Sequence, residues 1–208
     1  MSGRTGLILD FGGVLTTSVA ACARGFDRRA GLADGTILSA ITRNPEGAAL
    51  YADLERGAIT QQQWNEGTGA LLGIDGTDLL ARVLEDLRPE PTMIAAARTA
   101  RAAGIKVGIF SNCLGSGPHD VYAGYDLAAD YDVTLISEDY KLRKPDPEIY
   151  ALMLDLMRLP GESCVFVDDT PHNLPPAEAL GIATVLAREP SATLAQLEPL
   201  LGLPLTPR

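Results

Sequence analysis

Four short stretches of this chain end on residues that can do chemistry. The apolar run "LIL" stops at Asp10, "KVGIF" runs into Ser111 and Asn112, Lys144 sits in "RKPDP", and "CVFV" delivers Asp168 and Asp169. Three carboxylates with one lysine and a hydroxyl form a hard, oxygen-rich set suited to Mg2+, beside donors suited to a phosphoryl group. Each has an ordinary structural use when taken singly: a strand-end Asp caps a helix, "SN" makes a turn, and "DD" favours a helix N-terminus. Their weight comes from arriving together, each after an apolar run. Gly12 marks a gap, because a second carboxylate two residues after Asp10 would complete an acid and base pair, and glycine has no side chain to supply it.

The elements that must position these residues are legible as well. "GLILD" (6–10), "KVGIF" (106–110), "VTLI" (133–136), "CVFVDD" (164–169) and "ATVL" (183–186) lack polar alternation, as strands buried on both faces of a parallel sheet do. Between them "PTMIAAARTARAAG" (91–104), "DPEIYALMLDLMRL" (146–159) and "LPPAEALG" (174–181) read as helices, with Gly104 and Gly181 as stops. Strand and helix in this alternation predict an α/β fold with a doubly wound parallel sheet, whose ligands bind beyond the carboxyl ends of the strands. Asp10, Ser111, Asn112, Lys144, Asp168 and Asp169 all fall at that rim. Residues 18–88 break the alternation: they hold "AACARGFDRRAGL", "EGAALYADLERG", "TQQQWNEGTGALLG" and "GTDLLARVLEDL", with Gly57 as a stop and Thr60 and Gln63 as a capping box. This predicts a helical insertion at 18–88, carried by a core built from 1–17 and 89–208. Its junctions near 16–18 and 87–91 are the expected hinges.

Composition excludes several classes of function. The 208 residues carry 17 basic and 27 acidic side chains, a formal charge of −10, which repels a polyanion and argues against a nucleic-acid partner. No apolar stretch approaches the roughly 20 residues of a membrane span, and the first strand begins too near Met1 to leave room for a signal peptide, so a cytoplasmic protein without a membrane partner is expected. Cys22, Cys113 and Cys164 are odd in number and lack CxxC spacing, which reads as reduced core or loop thiols.

"DFGGVLT", "FSN", "RKPDPEIY" and "VFVDDTPHN" are similar to the four motifs of the haloacid dehalogenase superfamily, in order and at fitting separations. The insertion lies where the family's C1 cap lies, and "LERGAIT" followed by "QQQW" resembles the cap of its phosphatase-like branch, which includes sugar-phosphate phosphatases and the N-terminal phosphatase domain of soluble epoxide hydrolases. The resemblance implies a Mg2+-dependent phosphatase or phosphotransferase acting on a small phosphorylated substrate, as a monomer or homodimer. Asp10 would be the nucleophile that forms an aspartyl-phosphate. Ser111 and Asn112 would hold phosphoryl oxygens, and Lys144 would neutralise the nucleophile and the transferring group. Asp10, Asp169 and the backbone carbonyl of Gly12 would bind Mg2+ directly, with Asp168 behind them.

Gly12 departs from the family pattern. Most family phosphatases carry a second Asp there that protonates the leaving oxygen and then activates water, and losing such a group costs roughly 10² to 10⁴ in rate. A good leaving group, a replacement acid or lost turnover are the open consequences. The last of these would make the chain a catalytically impaired binding or interaction protein. His119 and His172, both in rim loops, are the candidate replacements. Dehalogenases of the family also lack the second Asp but do not need the acidic pair at 168 and 169. Phosphonoacetaldehyde hydrolases need a cap lysine, and the lysines here are Lys106, Lys141 and Lys144. Arg28, Arg29, Tyr51 and Trp64 are the insertion residues considered for reaching a substrate, each with a solvated or packed helix face as its plainer use.

Overall fold

The five apolar runs become the five strands of one parallel sheet in the computed structural model, which describes residues 3–115 and 117–205. In chain order the elements are β1 (Gly6–Leu9), α1 (Val19–Arg29), α2 (Thr36–Thr42), α3 (Pro45–Glu55), α4 (Gln61–Leu72), α5 (Leu79–Val83), α6 (Pro91–Ala102), β2 (Lys106–Ser111), α7 (Leu127–Asp130), β3 (Val133–Ile136), α8 (Ser137–Tyr140), α9 (Pro147–Met157), β4 (Cys164–Asp168), α10 (Leu174–Ala179), β5 (Ala183–Leu186) and α11 (Pro190–Leu201). The strand order is β3-β2-β1-β4-β5, so the winding reverses between β1 and β4 and opens a crevice at their carboxyl ends. Register makes this crevice a chemical one. Leu9 pairs with Ile109 and with Val167, which sets Asp10 level with Phe110 and Asp168 on the neighbouring strands.

Alternation along the buried strands divides the core between the two faces of the sheet. Leu7, Leu9, Val107, Ile109, Val165 and Val167 pack against Met93, Ala96 and Ala100 of α6 and Leu194 and Leu197 of α11. Ile8, Phe110 and Phe166 pack on the other face against Ile149, Tyr150, Met153 and Met157 of α9. The three cysteines are free and buried, and among the described residues no helix is long and apolar enough to cross a membrane.

Helices α1 to α5 enclose a separate apolar cluster around Phe26, Leu54, Trp64, Leu79 and Leu80. The two crossings between these helices and the sheet lie side by side: Thr16 bridges Pro89 antiparallel, and the Thr17 and Glu90 amides each donate at 2.8 Å to Arg88 and Leu15 carbonyls. Helix α4 starts at the expected capping box, with Thr60 Oγ1 accepting from the Gln63 amide at 3.2 Å and the Gln63 side chain accepting from the Thr60 amide at 2.9 Å. Gly57, at φ 62°, ends the preceding helix. A Cβ there would come within 2.8 Å of Glu138 Cβ, so the glycine also permits that helix end to dock on the sheet domain.

Helices α2 and α11 and the four-residue helices α7 and α8 were not expected from sequence. Helix α2 begins behind Gly35, and α11 carries its apolar residues Leu194, Leu197 and Leu201 at helical spacing around an internal Pro199 that masks the pattern. Helix α5 is only five residues, shorter than the stretch "GTDLLARVLEDL" suggests.

Candidate active site

Lys144 organises the crevice. Its ammonium lies 2.9 Å from Asp10 Oδ1, donates to Asp168 Oδ2 at 2.6 Å and donates to the Phe110 carbonyl at 2.8 Å, so its three N–H groups serve the ends of β1, β4 and β2 together. The side chain is 1% exposed and passes over the faces of Phe110 and Phe166, with the ammonium 5.1 and 5.3 Å from the ring centroids. Burial pulls this ammonium down, but Asp10 and Asp168 outweigh it and its pKa is raised, which keeps Lys144 charged. The Phe11 amide donates to Asp10 Oδ1 at 2.7 Å, so two donors fix the rotamer of this carboxylate. Phe11 itself is held between Tyr122 and Tyr125, at centroid distances of 4.7 and 4.8 Å.

Asp168 and Asp169 are adjacent in sequence and opposite in situation. Asp168 is fully buried and saturated: besides Lys144 it accepts from the Thr170 amide at 2.8 Å and from Asn173 Nδ2 at 3.0 and 3.1 Å. Asp169 is half-buried and faces the cavity, with Thr170 Oγ1 donating to it at 3.1 Å. Asp10, Asp168 and Asp169 each offer an oxygen within 4.8 Å of the others. Burial raises the Asp10 carboxyl to about 8, against the pull of Lys144 and with the push of Asp168, and burial beside Asp168 raises Asp169 too. When all three are ionised, these clustered carboxylates facing one ammonium carry two negative charges in excess, and their raised pKa values are the mark of that crowding. A hard divalent cation with oxygen ligands satisfies both the charge and the donor set, so these residues fit Mg2+.

Ser111 and Asn112 arrive beside Asp10 as expected. The Ser111 hydroxyl shares a hydrogen bond of 2.8 Å with Tyr122 Oη. Asn112 and Lys144 are tied reciprocally, the Asn112 amide donating to the Lys144 carbonyl at 3.0 Å and the Lys144 amide to Asn112 Oδ1 at 2.8 Å.

Asp10, Ser111, Asn112, Lys144 and Asp169 form the floor of a cavity of about 400 Å³, with Asp168 buried beneath it, and helices of the insertion form its roof. The roof and walls are mostly apolar, with Val19, Leu38, Ile41, Leu87, Leu114 and Val121 among them, while Ala48, Tyr51 and Glu55 line the cavity from one face of α3. Gly12 also lines it. Its φ is not positive, and a Cβ there would meet only Val19 Cγ2, at 3.0 Å. The glycine that geometry requires is Gly13, at φ 76°, where a Cβ would collide with the Asp169 carboxylate.

Several candidate residues are sorted by this geometry. His172 is exposed but lines the cavity. His119 does not line it, and its backbone is gripped by Gln61, whose amide donates to the His119 carbonyl at 2.7 Å and accepts from the His119 amide at 3.1 Å. Tyr51 reaches the cavity, whereas Trp64 is packed at 1% exposure among the helices, and Arg28 and Arg29 are exposed, Arg29 pairing with Glu85 and Asp86. Glu55, Arg143 and Tyr122 line the cavity without having been singled out from sequence. Glu55 and Arg143 were within reach, since both stand inside the quoted motifs "LERGAIT" and "RKPDPEIY".

The chain belongs to the haloacid dehalogenase-like hydrolase family, whose model matches residues 5–181. It is 27% identical over 202 residues to a sesquiterpene phosphatase of Aspergillus oryzae, covering 94% of this chain and 95% of that protein. Over 207 residues it is 28% identical to mouse acyl-CoA dehydrogenase family member 10, which covers 96% of this chain but 19% of that protein. The chain thus spans about a fifth of that relative's length. A HAD family enzyme of Bacteroides thetaiotaomicron, solved as a magnesium complex, superposes with a TM-score of 0.66 at 20% identity, over 90% of this chain and 94% of the other. The fold that the four motifs implied is therefore the family's own, and a relative of nearly the same length is by its name a phosphatase.

Proposed function

We propose that this chain is a Mg2+-dependent phosphatase or phosphotransferase that cleaves a small phosphate monoester through an aspartyl-phosphate on Asp10. The observation that carries the reading is Asp10, Lys144 and Asp169 lining a roofed cavity, with the buried Asp168 paired to Lys144 behind them. Asp10 attacks phosphorus, held in its reactive rotamer by the Phe11 amide and Lys144. The hydroxyl of Ser111, oriented by Tyr122, and the side chain of Asn112 bind equatorial phosphoryl oxygens. Asp10, Asp169 and the carbonyl of Gly12 would hold the metal, with Asp168 and its Asn173 and Lys144 partners setting the charge behind them. Bound magnesium supplies a Lewis acid for the charge of the transferring phosphoryl group. The apolar roof excludes water from that transfer and favours an apolar alcohol over a sugar as the leaving group. The Aspergillus relative, by its name a phosphatase of sesquiterpenes, agrees with such a preference.

Phosphate release from a panel of alkyl, prenyl, aryl, sugar and nucleoside phosphates tests the reading. Release is expected with Mg2+ and lost with chelator, fastest on apolar esters. Release that ignores chelator, or absence of release from every ester alongside halide release from 2-haloacids, would overturn it.

A further inference from the structure

Resting on the phosphatase reading above, we propose that Glu55 is the proton donor and acceptor of the reaction, taking from the roof of the cavity the role that Gly12 leaves without a side chain. Phosphoryl transfer runs in line, so the leaving oxygen departs on the side opposite Asp10, into the cavity that α3 lines with Ala48, Tyr51 and Glu55. Three carboxyl groups line the cavity among the described residues: Asp10, Asp169 and Glu55. The first two belong to the floor. Glu55 alone comes from the roof, one turn after Tyr51 on the cavity face of α3.

Its setting is built rather than incidental. Glu55 is 5% exposed, and the end of its helix is anchored to the sheet domain: the Ser137 hydroxyl donates to the Glu55 carbonyl, Arg56 pairs with Asp146 at 3.3 Å, and Lys141 donates to the Gly57 carbonyl at 3.1 Å. Its Oε2 lies 2.5 Å from Arg143 Nε in a buried ion pair. The charged and titratable groups around the carboxyl are Arg143 and Lys144 from the loop between α8 and α9 and Tyr51 from its own helix, with the neutral side chain of Asn112 beside it. Burial lifts its pKa to about 7 against the pull of Arg143 and Asn112, a value suited to both halves of a proton cycle at neutral pH.

The cycle balances. As Asp10 forms its bond to phosphorus, the bond from phosphorus to the ester oxygen breaks with its electron pair on that oxygen, and the Glu55 proton moves to it, releasing a neutral alcohol. Glu55, now a carboxylate, takes a proton from water as the water oxygen attacks phosphorus. The bond to Asp10 breaks, phosphate leaves, and Glu55 is again protonated.

Glu55→Gln is expected to lower kcat/KM for an alkyl phosphate by about 10²-fold, while that for 4-nitrophenyl phosphate, whose leaving group needs no proton, changes by a few-fold. Equal losses on both esters would overturn the proposal, because a carboxylate that only pairs Arg143 and holds the roof in place is blind to the leaving group. The wild-type protein gives a test that depends on no variant. Its kcat/KM for the alkyl ester should fall as pH rises through about 7, since the protonated form is consumed, and the aryl ester should lack that limb. Identical profiles for the two esters would contradict the role of Glu55 and leave the phosphatase reading standing. A wild-type protein inactive on both esters with Mg2+ would instead remove the phosphatase reading on which the role rests.

Discussion

Asp10→Asn is expected to abolish turnover, by about 10³-fold or more, while the protein stays folded. The asparagine oxygen can accept from the Phe11 amide and from Lys144 as Asp10 Oδ1 does, at 2.7 and 2.9 Å, so the rotamer and the strand end are preserved. What disappears is the charge that attacks phosphorus. The substitution also removes one of three crowded carboxylates, so the melting temperature of the variant should match or exceed that of the parent. Steady-state phosphate release and a thermal melt check both halves. A variant that retains turnover, or one that loses activity only because it unfolds, would move the nucleophile elsewhere.

Lys144→Met should be the most damaging single change to both stability and rate. It keeps the apolar stem against Phe110 and Phe166 but deletes the cation that faces Asp10 and Asp168, leaving two buried carboxylates and the Phe110 carbonyl without their donor. Breaking a buried pair by removing one partner costs about 3–5 kcal/mol. A large drop in the denaturant midpoint is therefore expected, together with loss of turnover. Adding Asp168→Asn should recover part of the stability and none of the activity, because it removes an uncompensated charge without restoring the one that neutralises phosphoryl transfer. Additive losses in the double variant would show that Lys144 and Asp168 are not coupled as their 2.6 Å contact implies.

The contrast between what sequence disclosed and what it hid follows from range. Continuous apolar runs announce strands buried on both faces, and a residue at the end of such a run is placed by the strand itself, so Asp10, Ser111 and Asp168 were legible with the sheet. The insertion was legible as an absence of strands. Glu55 was not, because its setting depends on Arg143 and Asn112, which meet it only after the helices fold back over the sheet. Tyr122 likewise acquires meaning only when its hydroxyl reaches Ser111. His119 shows the converse: its distance in sequence from Asn112 suggested the rim, but Gln61 holds its backbone against α4, and His119 does not line the cavity although Leu114, Val121 and Tyr122 of the same loop do. The backbone conformation that requires a glycine falls at Gly13 and not at Gly12, so the missing side chain at 12 is not imposed by a positive φ.

The central claim is that a phosphoryl group rests on Asp10 between two displacements. Acid quenching during steady-state turnover with Mg2+, followed by mass analysis of proteolytic peptides, tests it directly. A phosphoryl adduct on the peptide that contains Asp10, present with substrate and absent from Asp10→Asn, is the predicted result. Turnover at full rate with no adduct on that peptide, or an adduct mapped to another residue, would contradict it.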